Sequence, residues 1–437
     1  MKSIALGWRA VLSLPVVVFV ISCDQSPTWS DRAPVPSFSI AAGSGTWTTK
    51  TPMSTGRGKG AVGAIDGILY AVGGYDNGGA LATVEAYDPA TNMWTTKAPI
   101  PTPRAALGVG VINGILYAVG GYELLAGNVS SATVEAYDPT TNTWTTKAPM
   151  LTPRGALGVG VINGILYAVS GDNLTTVEAY DPATNTWTTK RSVSVGRSSP
   201  AVGVVDGILY VMGGSVPGSV TATVEAYDPT TNLWTMKASM PTPRVALGTG
   251  VINRILYAAG GADCCQVFYT VEAYHPAIDT WTTATPMPTN RSDLGVAAAN
   301  GTLYAVGGIN QSGTLPTVEA FTPFALTGFF QPVDNPPIVN STKAGSAIPV
   351  KFSLNGNQGL AIFAPGYPGS QNQACSGGVT DAIEQTVTAN ASGLTYDPVS
   401  DQYTYVWKTS KSWAGTCRVL SLGFTDGSVH QALFRFN

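Results

Sequence analysis

Residues 105–121 read AALGVGVINGILYAVGG, residues 133–139 read TVEAYDP, and residues 142–147 read NTWTTK. The first stretch is two apolar runs broken by Asn113-Gly114, a dipeptide that favours a tight hairpin because both turn positions accept positive φ. The second puts Val134 and Ala136 on one face and Glu135 and Tyr137 on the other, and it stops at Asp138-Pro139. The third is a short run centred on Trp144. Four short strands in one period of roughly 47 residues make a β-meander, the building block of propeller-like arrays.

The pattern recurs six times. Its tryptophans are Trp47, Trp94, Trp144, Trp187, Trp234 and Trp281, and its tyrosines are Tyr70, Tyr117, Tyr167, Tyr210, Tyr257 and Tyr304. Both series step by 47, 50, 43, 47 and 47 residues. The two series are out of phase at the ends. A lone tryptophan strand, Thr46 to Lys50, opens the array, and the last unit, Arg291 to Pro323, has everything except that strand. A linear array has no reason to be split in this way. A ring does, because the opening strand completes the closing unit by pairing with Val318 to Phe321, and closure removes exposed sheet edges.

The Gly-Gly doublets (Gly73-Gly74, Gly120-Gly121, Gly213-Gly214, Gly260-Gly261, Gly307-Gly308), the Tyr-Asp-Pro-x-Thr-Asn-x-Trp segment and the following Met-Pro-Thr-x-Arg resemble the kelch motif over residues 46–323. The resemblance implies a β-propeller. The expected fold class is therefore all-β: a six-bladed kelch propeller over 45–323, closed by its N-terminal strand. Ser170-Gly171, Tyr274-His275-Pro276 and Phe321-Thr322-Pro323 depart from the motif. From Phe324 the period vanishes, and residues 324–437 resemble the PxKF domain (Pro349-Val350-Lys351-Phe352) of bacterial extracellular proteins. Alternating strands there, with hairpin signals at Asp397-Pro398 and Asp426-Gly427, imply an Ig-like β-sandwich.

The N-terminus reads as an export signal over residues 1–22. Lys2 and Arg9 flank a positive region, and the apolar run Ala10 to Val20 is too short to span a bilayer. Val20-Ile21-Ser22-Cys23 resembles the bacterial lipobox, which implies lipidation of Cys23 and a Ser/Pro/Gly-rich tether over 23–44. The chain is expected to be exported and lipid-anchored in the cell envelope, periplasmic or surface-exposed, the alternative being a secreted protein. Cys375 and Cys417 are expected to pair. The adjacent Cys264 and Cys265 are left as a vicinal disulfide, an intermolecular link or thiols.

Only 11% of the 437 residues are charged, beside 50 Gly and 30 Pro, which suits turn-rich β structure. A net charge of −3 leaves no electrostatic footprint for nucleic acid. A monomer is expected, touching the membrane only through its lipid.

In such a meander, the loops joining strands 2–3 and 4–1 share one face. The 1–2 and 3–4 turns are nearly invariant between units, whereas the 2–3 loops vary in length and chemistry, so binding of a protein or glycan is expected on their face. Its candidate residues are Tyr75, Asp76, Tyr122, Glu123, Asp172, Asp263, Phe268, Tyr269 and Asn310. Six arginines (Arg57, Arg104, Arg154, Arg197, Arg244, Arg291) are matched by six glutamates (Glu85, Glu135, Glu178, Glu225, Glu272, Glu319) at fixed phase, which reads as repeated structural ion pairs at the start of each first strand. Kelch domains that bind acidic peptides often carry a second arginine two positions further on. Here those positions are Lys59, Ala106, Ala156, Ser199, Ala246 and Asp293. A copper radical site of the galactose oxidase kind needs two histidines in the propeller, but of the chain's two only His275 lies there, His430 being outside. No cofactor, metal site or catalytic set is expected. The alternative is a carbohydrate-modifying enzyme resembling sialic acid mutarotase, with Asp293 and Lys59 as its acid–base pair. A third reading is a purely structural surface protein.

Overall fold

A computed structural model describes residues 45–437 apart from 124–128, 325, 355–356, 359, 361, 365, 376–383, 389–392 and 425–427. The expected signal, Cys23 and the tether lie outside the described residues, as does the Asp426-Gly427 turn.

Each unit folds as written in its sequence. Asn113 and Gly114 take φ of 50° and 77° and join Gly108–Ile112 to Ile115–Val119 in a hairpin. Val134–Asp138 and Thr143–Lys147 follow, giving a four-stranded antiparallel meander in chain order. Six such sheets form, and their innermost strands touch in sequence around a circle that ends with Gly295–Ala299 against Ala61–Ile65. The sheets remain separate, so the circle is not one continuous sheet. In the sixth, the outer strand comes from the other end of the array: Thr46–Lys50 pairs antiparallel with Val318–Thr322, placing Trp47 opposite Phe321.

The third strands depart from the alternation expected of them. Val134, Glu135, Ala136 and Tyr137 are all buried. Every sheet is covered on both faces by its neighbours, so no face of this strand is left for water; Tyr137, for example, packs 5.8 Å from Tyr70 of the preceding sheet. The arginines also sit four residues before the first strands rather than opening them. The residue two beyond each, such as Ala106 at φ 53°, takes a left-handed conformation that delays the extended strand.

The Tyr…Asn-x-Trp signature is a clamp between sheets. The Tyr137 hydroxyl donates to Asn142 Oδ1 at 2.7 Å, and the same oxygen accepts the Ala98 N–H of the preceding sheet at 2.9 Å. Trp144 Nε1 donates to the Ala98 carbonyl at 2.9 Å. One backbone unit is thus held at both its donor and its acceptor, which removes two otherwise orphaned polar groups. At the seal Trp47 Nε1 binds the Thr285 carbonyl at 2.8 Å, and Thr285 Oγ1 donates to the Gly45 carbonyl at 2.8 Å. The split sheet has no 3–4 turn to supply an asparagine, and its tyrosine position holds Phe321, which needs no acceptor.

Residues 329–436 build two five-stranded sheets. One centres on Ala347–Phe352 and Gln402–Lys408, the other on Cys417–Gly423 and Val429–Phe436. They share one core in which Val350, Phe352 and Trp407 meet Leu420, Leu422 and Phe434. Asp397-Pro398 turns the chain between Leu394–Asp397 and Gln402–Lys408. Val339–Thr342 runs parallel to Val429–Phe436, unlike the other pairings. Cys375 and Cys417 are joined by a disulfide with Cα atoms 5.2 Å apart.

Candidate functional site

The centre of the ring is closed by its own backbone. The six positions two beyond the arginines all have φ between 49° and 56°. Each N–H donates to the carbonyl of its counterpart one unit back: Ala106 to Lys59, Ala156 to Ala106, Ser199 to Ala156, Ala246 to Ser199, Asp293 to Ala246 and Lys59 to Asp293, at 2.8–3.1 Å. This circle of hydrogen bonds has no end. It offsets a left-handed backbone that costs L-residues roughly 1–2 kcal/mol each.

Above the circle, the mouth is lined by the side chains of these residues, of which only Lys59, Ser199 and Asp293 are polar. Below it lies a cavity of about 260 Å³ lined by Val62, Val109, Val159, Val202 and small residues, with no charged group. Burial raises the Asp293 carboxyl above the ordinary carboxylate range against the opposing pull of Lys59. The Lys59 ammonium stands 6.0 Å from the centre of the Tyr75 ring, and burial together with Asp293 pushes the Tyr75 hydroxyl up to about 12. The mouth therefore holds one lysine and one carboxyl, with the Tyr75 ring beside the lysine.

The six arginines are engaged elsewhere. Arg104 pairs with Glu135 at 2.8 Å, and its Nη1 donates to the carbonyls of Gly120 (2.6 Å) and Thr133 (2.8 Å). The same pairing and carbonyl contacts recur in every unit, with both partners buried. Burial lowers each arginine from its ordinary value and the glutamate opposes it, so these cations remain charged but unavailable to a ligand.

Most candidate residues of the variable loops are engaged within those loops. Asp172 accepts from the Tyr122 hydroxyl, from Ser130 Oγ at 2.7 Å and from the Gly155 N–H at 2.8 Å, tying the second and third sheets together. Burial and this carboxylate raise the Tyr122 hydroxyl strongly. Glu123 accepts from Ser131 Oγ at 2.7 Å. Asp76, Asp263 and Asn310 each accept backbone N–H groups of their own turns at 2.8 Å. Phe268 is half-buried, whereas Tyr269 is 57% exposed. The loops are therefore built rather than loose, and Tyr269 is the large aromatic offered to solvent among these residues.

One site escapes sequence reasoning. A cavity of about 450 Å³ opens between the turns of the fourth and fifth sheets and the C-terminal domain. Its walls include Tyr210, Arg254, His275 and Ile278 on one side, and Tyr367 and Phe424 on the other. Arg254 stands where the other units have turn glycines such as Gly207, His275 replaces the aspartate of Tyr-Asp-Pro, and Ile278 replaces a threonine. The departures of one unit thus gather where a second domain faces it.

Five stretches, residues 57–101, 103–151, 153–193, 196–241 and 243–288, match the Kelch motif and together span just over half of the chain. The sixth unit, divided between 291–323 and 46–50, has no continuous segment to match. No curated protein sequence is significantly similar to the chain. Among solved structures, "Structure of YjhT" superposes with a TM-score of 0.54 at 18% identity, covering 62% of this chain and 97% of that one. The ring shares the fold of a kelch-type propeller. On its five motifs and the sheets they build, the chain belongs to the kelch-repeat family.

Proposed function

We propose that the protein is a non-enzymatic binding protein of the bacterial envelope, in which a six-bladed propeller takes a protein loop or a glycan on its variable-loop face. In this reading residues 1–44 export the chain and anchor it through a lipid on Cys23, and the C-terminal two-sheet domain is an Ig-like module of the PxKF type. The observation that carries the proposal is the consumption of charge inside the ring. All six arginines and their glutamates are spent on internal pairs. The 2–3 loops vary in length and chemistry from unit to unit, and a rigid scaffold holds them in place. Glycan arrays and envelope-protein pull-downs with the full chain test it. Tyr269→Ala and Phe268→Ala should abolish capture at unchanged melting temperature; capture as strong as wild type by both variants rejects this face.

A second reading is supported by the mouth of the channel, where Asp293 has a raised pKa and faces Lys59 across the seam. That pair has the character of an acid and base for ring opening of a sugar. Sialic acid anomerisation followed by NMR decides it: a rate above the spontaneous one, lost in Asp293→Asn, supports the enzyme, and no acceleration ends it.

A further inference from the structure

The 2–3 loop of the fifth unit is built unlike the others. Units one, two, four and six carry a short hairpin there, as in Tyr75–Asp76 against Gly79–Ala80. In the fifth unit, Ala262 bridges to Val267 and the Asp263 N–H donates to the Gln266 carbonyl at 3.1 Å, which closes a tight turn. Asp263 Oδ1 accepts the N–H groups of Cys265 and Gln266, both at 2.8 Å, so the carboxylate is locked at the base of the turn. Cys264 and Cys265 occupy its corners, exposed, with their Sγ atoms 3.1 Å apart. One ligand atom from each of the three residues lies within 4.8 Å of the others.

We propose that Asp263, Cys264 and Cys265 form a binding site for a soft divalent metal ion of the zinc or cadmium type. Two sulfur ligands select such ions over magnesium or calcium, and the carboxylate adds a third donor with a fourth position open to water. The turn brings all three donors together from three consecutive residues. Adjacent cysteines are also poor partners for oxidation. Their Cα atoms are held about 3.8 Å apart by the shared peptide, below the usual range of roughly 4.4–6.8 Å for a disulfide. Cys375 and Cys417, at 5.2 Å, fall inside that range. In this structure the second pair is joined, whereas the Sγ atoms of the first stand 3.1 Å apart and unbridged. Binding forms two metal–sulfur bonds and one metal–oxygen bond, and the two thiol protons pass to the buffer.

The experiment titrates Cd²⁺ alone, and then Zn²⁺ alone, into the full chain carrying Cys23→Ser, with the Cys375–Cys417 bridge left oxidised. One ion per chain, a cadmium–thiolate charge-transfer band in the ultraviolet and two protons released per ion are expected. Cys264→Ser and Cys265→Ser should each weaken binding at least tenfold, and Asp263→Asn, which can still cap the turn, several-fold. Melting curves of the apo variants should coincide with the parent, separating ligand loss from misfolding. The proposal is overturned by cadmium uptake without the band, or by a double serine variant that binds as tightly as the parent.

Discussion

Trp47 and Thr285 are 238 residues apart in sequence and joined by a 2.8 Å hydrogen bond from the indole Nε1 to the backbone carbonyl. The Trp47 ring also lies 5.3 Å from Phe321, its partner across the sealing ladder. Trp47→Ala is expected to destabilise the propeller by about 3–5 kcal/mol. It should do more harm than Trp144→Ala, because an internal tryptophan is lost from a sheet whose strands stay connected by short turns. Urea unfolding of the two variants side by side checks the order.

The buried arginines make a second case. Arg104→Met leaves Glu135 charged inside the protein with its main partner gone, which costs about 3–5 kcal/mol. Replacing both residues together, as in Arg104→Met with Glu135→Leu, should recover most of that loss, since an apolar pair needs no compensation. A double-mutant cycle in denaturant measures the recovery.

Ser170 stands where the other units have the first glycine of the doublet, at φ 55°, with its hydroxyl buried and lacking a partner. In sequence, Val193 of the next unit takes the position that Met150 holds opposite Gly120. At Gly120 the same place is filled by Met150, whose Cε would lie 2.9 Å from an added Cβ. Ser170→Gly is expected to stabilise the protein by about 1–2 kcal/mol, through relief of backbone strain and of the buried hydroxyl. An increase in the urea midpoint at constant slope is the signature.

Burial lowers both histidines, His275 with Nε2 2.9 Å from Thr282 Oγ1 and His430 beside Phe424. A histidine whose pKa is lower folded than unfolded takes up its proton preferentially in the unfolded chain. Stability is therefore complete above the unfolded value of about 6.5 and falls as pH drops through it toward the folded value. Melting temperature should decline from pH 7 to pH 5, and His275→Gln with His430→Gln should flatten that decline.

Arg254 pairs with Asp206 at 2.5 Å on an exposed surface, a contact of little energetic weight. Restoring the repeat with Arg254→Gly and Ile278→Thr should leave the propeller at least as stable as before, since glycine relieves the left-handed φ of 66° at Arg254, while removing one wall of the crevice against the C-terminal domain. Small-angle scattering should then report a larger radius of gyration, and an unchanged profile would show that these residues do not hold the domains together.

The ring was legible because its chemistry repeats. Tyr137, Asn142 and Trp144 act on one backbone unit, Ala98, and the first four units repeat these three side chains at the same spacing, with Asp279 standing in for the asparagine in the fifth. The arginine–glutamate pairs could be read for a similar reason, from equal numbers at fixed phase. The hydrogen-bonded circle could not. Its members are Lys59, Ala106, Ala156, Ser199, Ala246 and Asp293, and neither alanine nor lysine announces a left-handed backbone. The loop candidates were found as variable residues, but the bonds that hold Asp172 run across two units and have no local spacing to reveal them. The crevice was half visible: His275 stood out as a departure, and its cause lay more than a hundred residues downstream at Phe424.

Thr46 and Thr322 face each other as the terminal rung of the sealing ladder. The chain therefore enters the propeller and leaves it toward the C-terminal domain from the same end of one strand pair. Tension applied between the two exits would peel that pair apart rung by rung, as a zipper opens, instead of loading all five rungs in shear. A pull along the polypeptide would unseat Thr46–Lys50 while the other five sheets stayed whole, making this short strand the molecule's mechanical fuse.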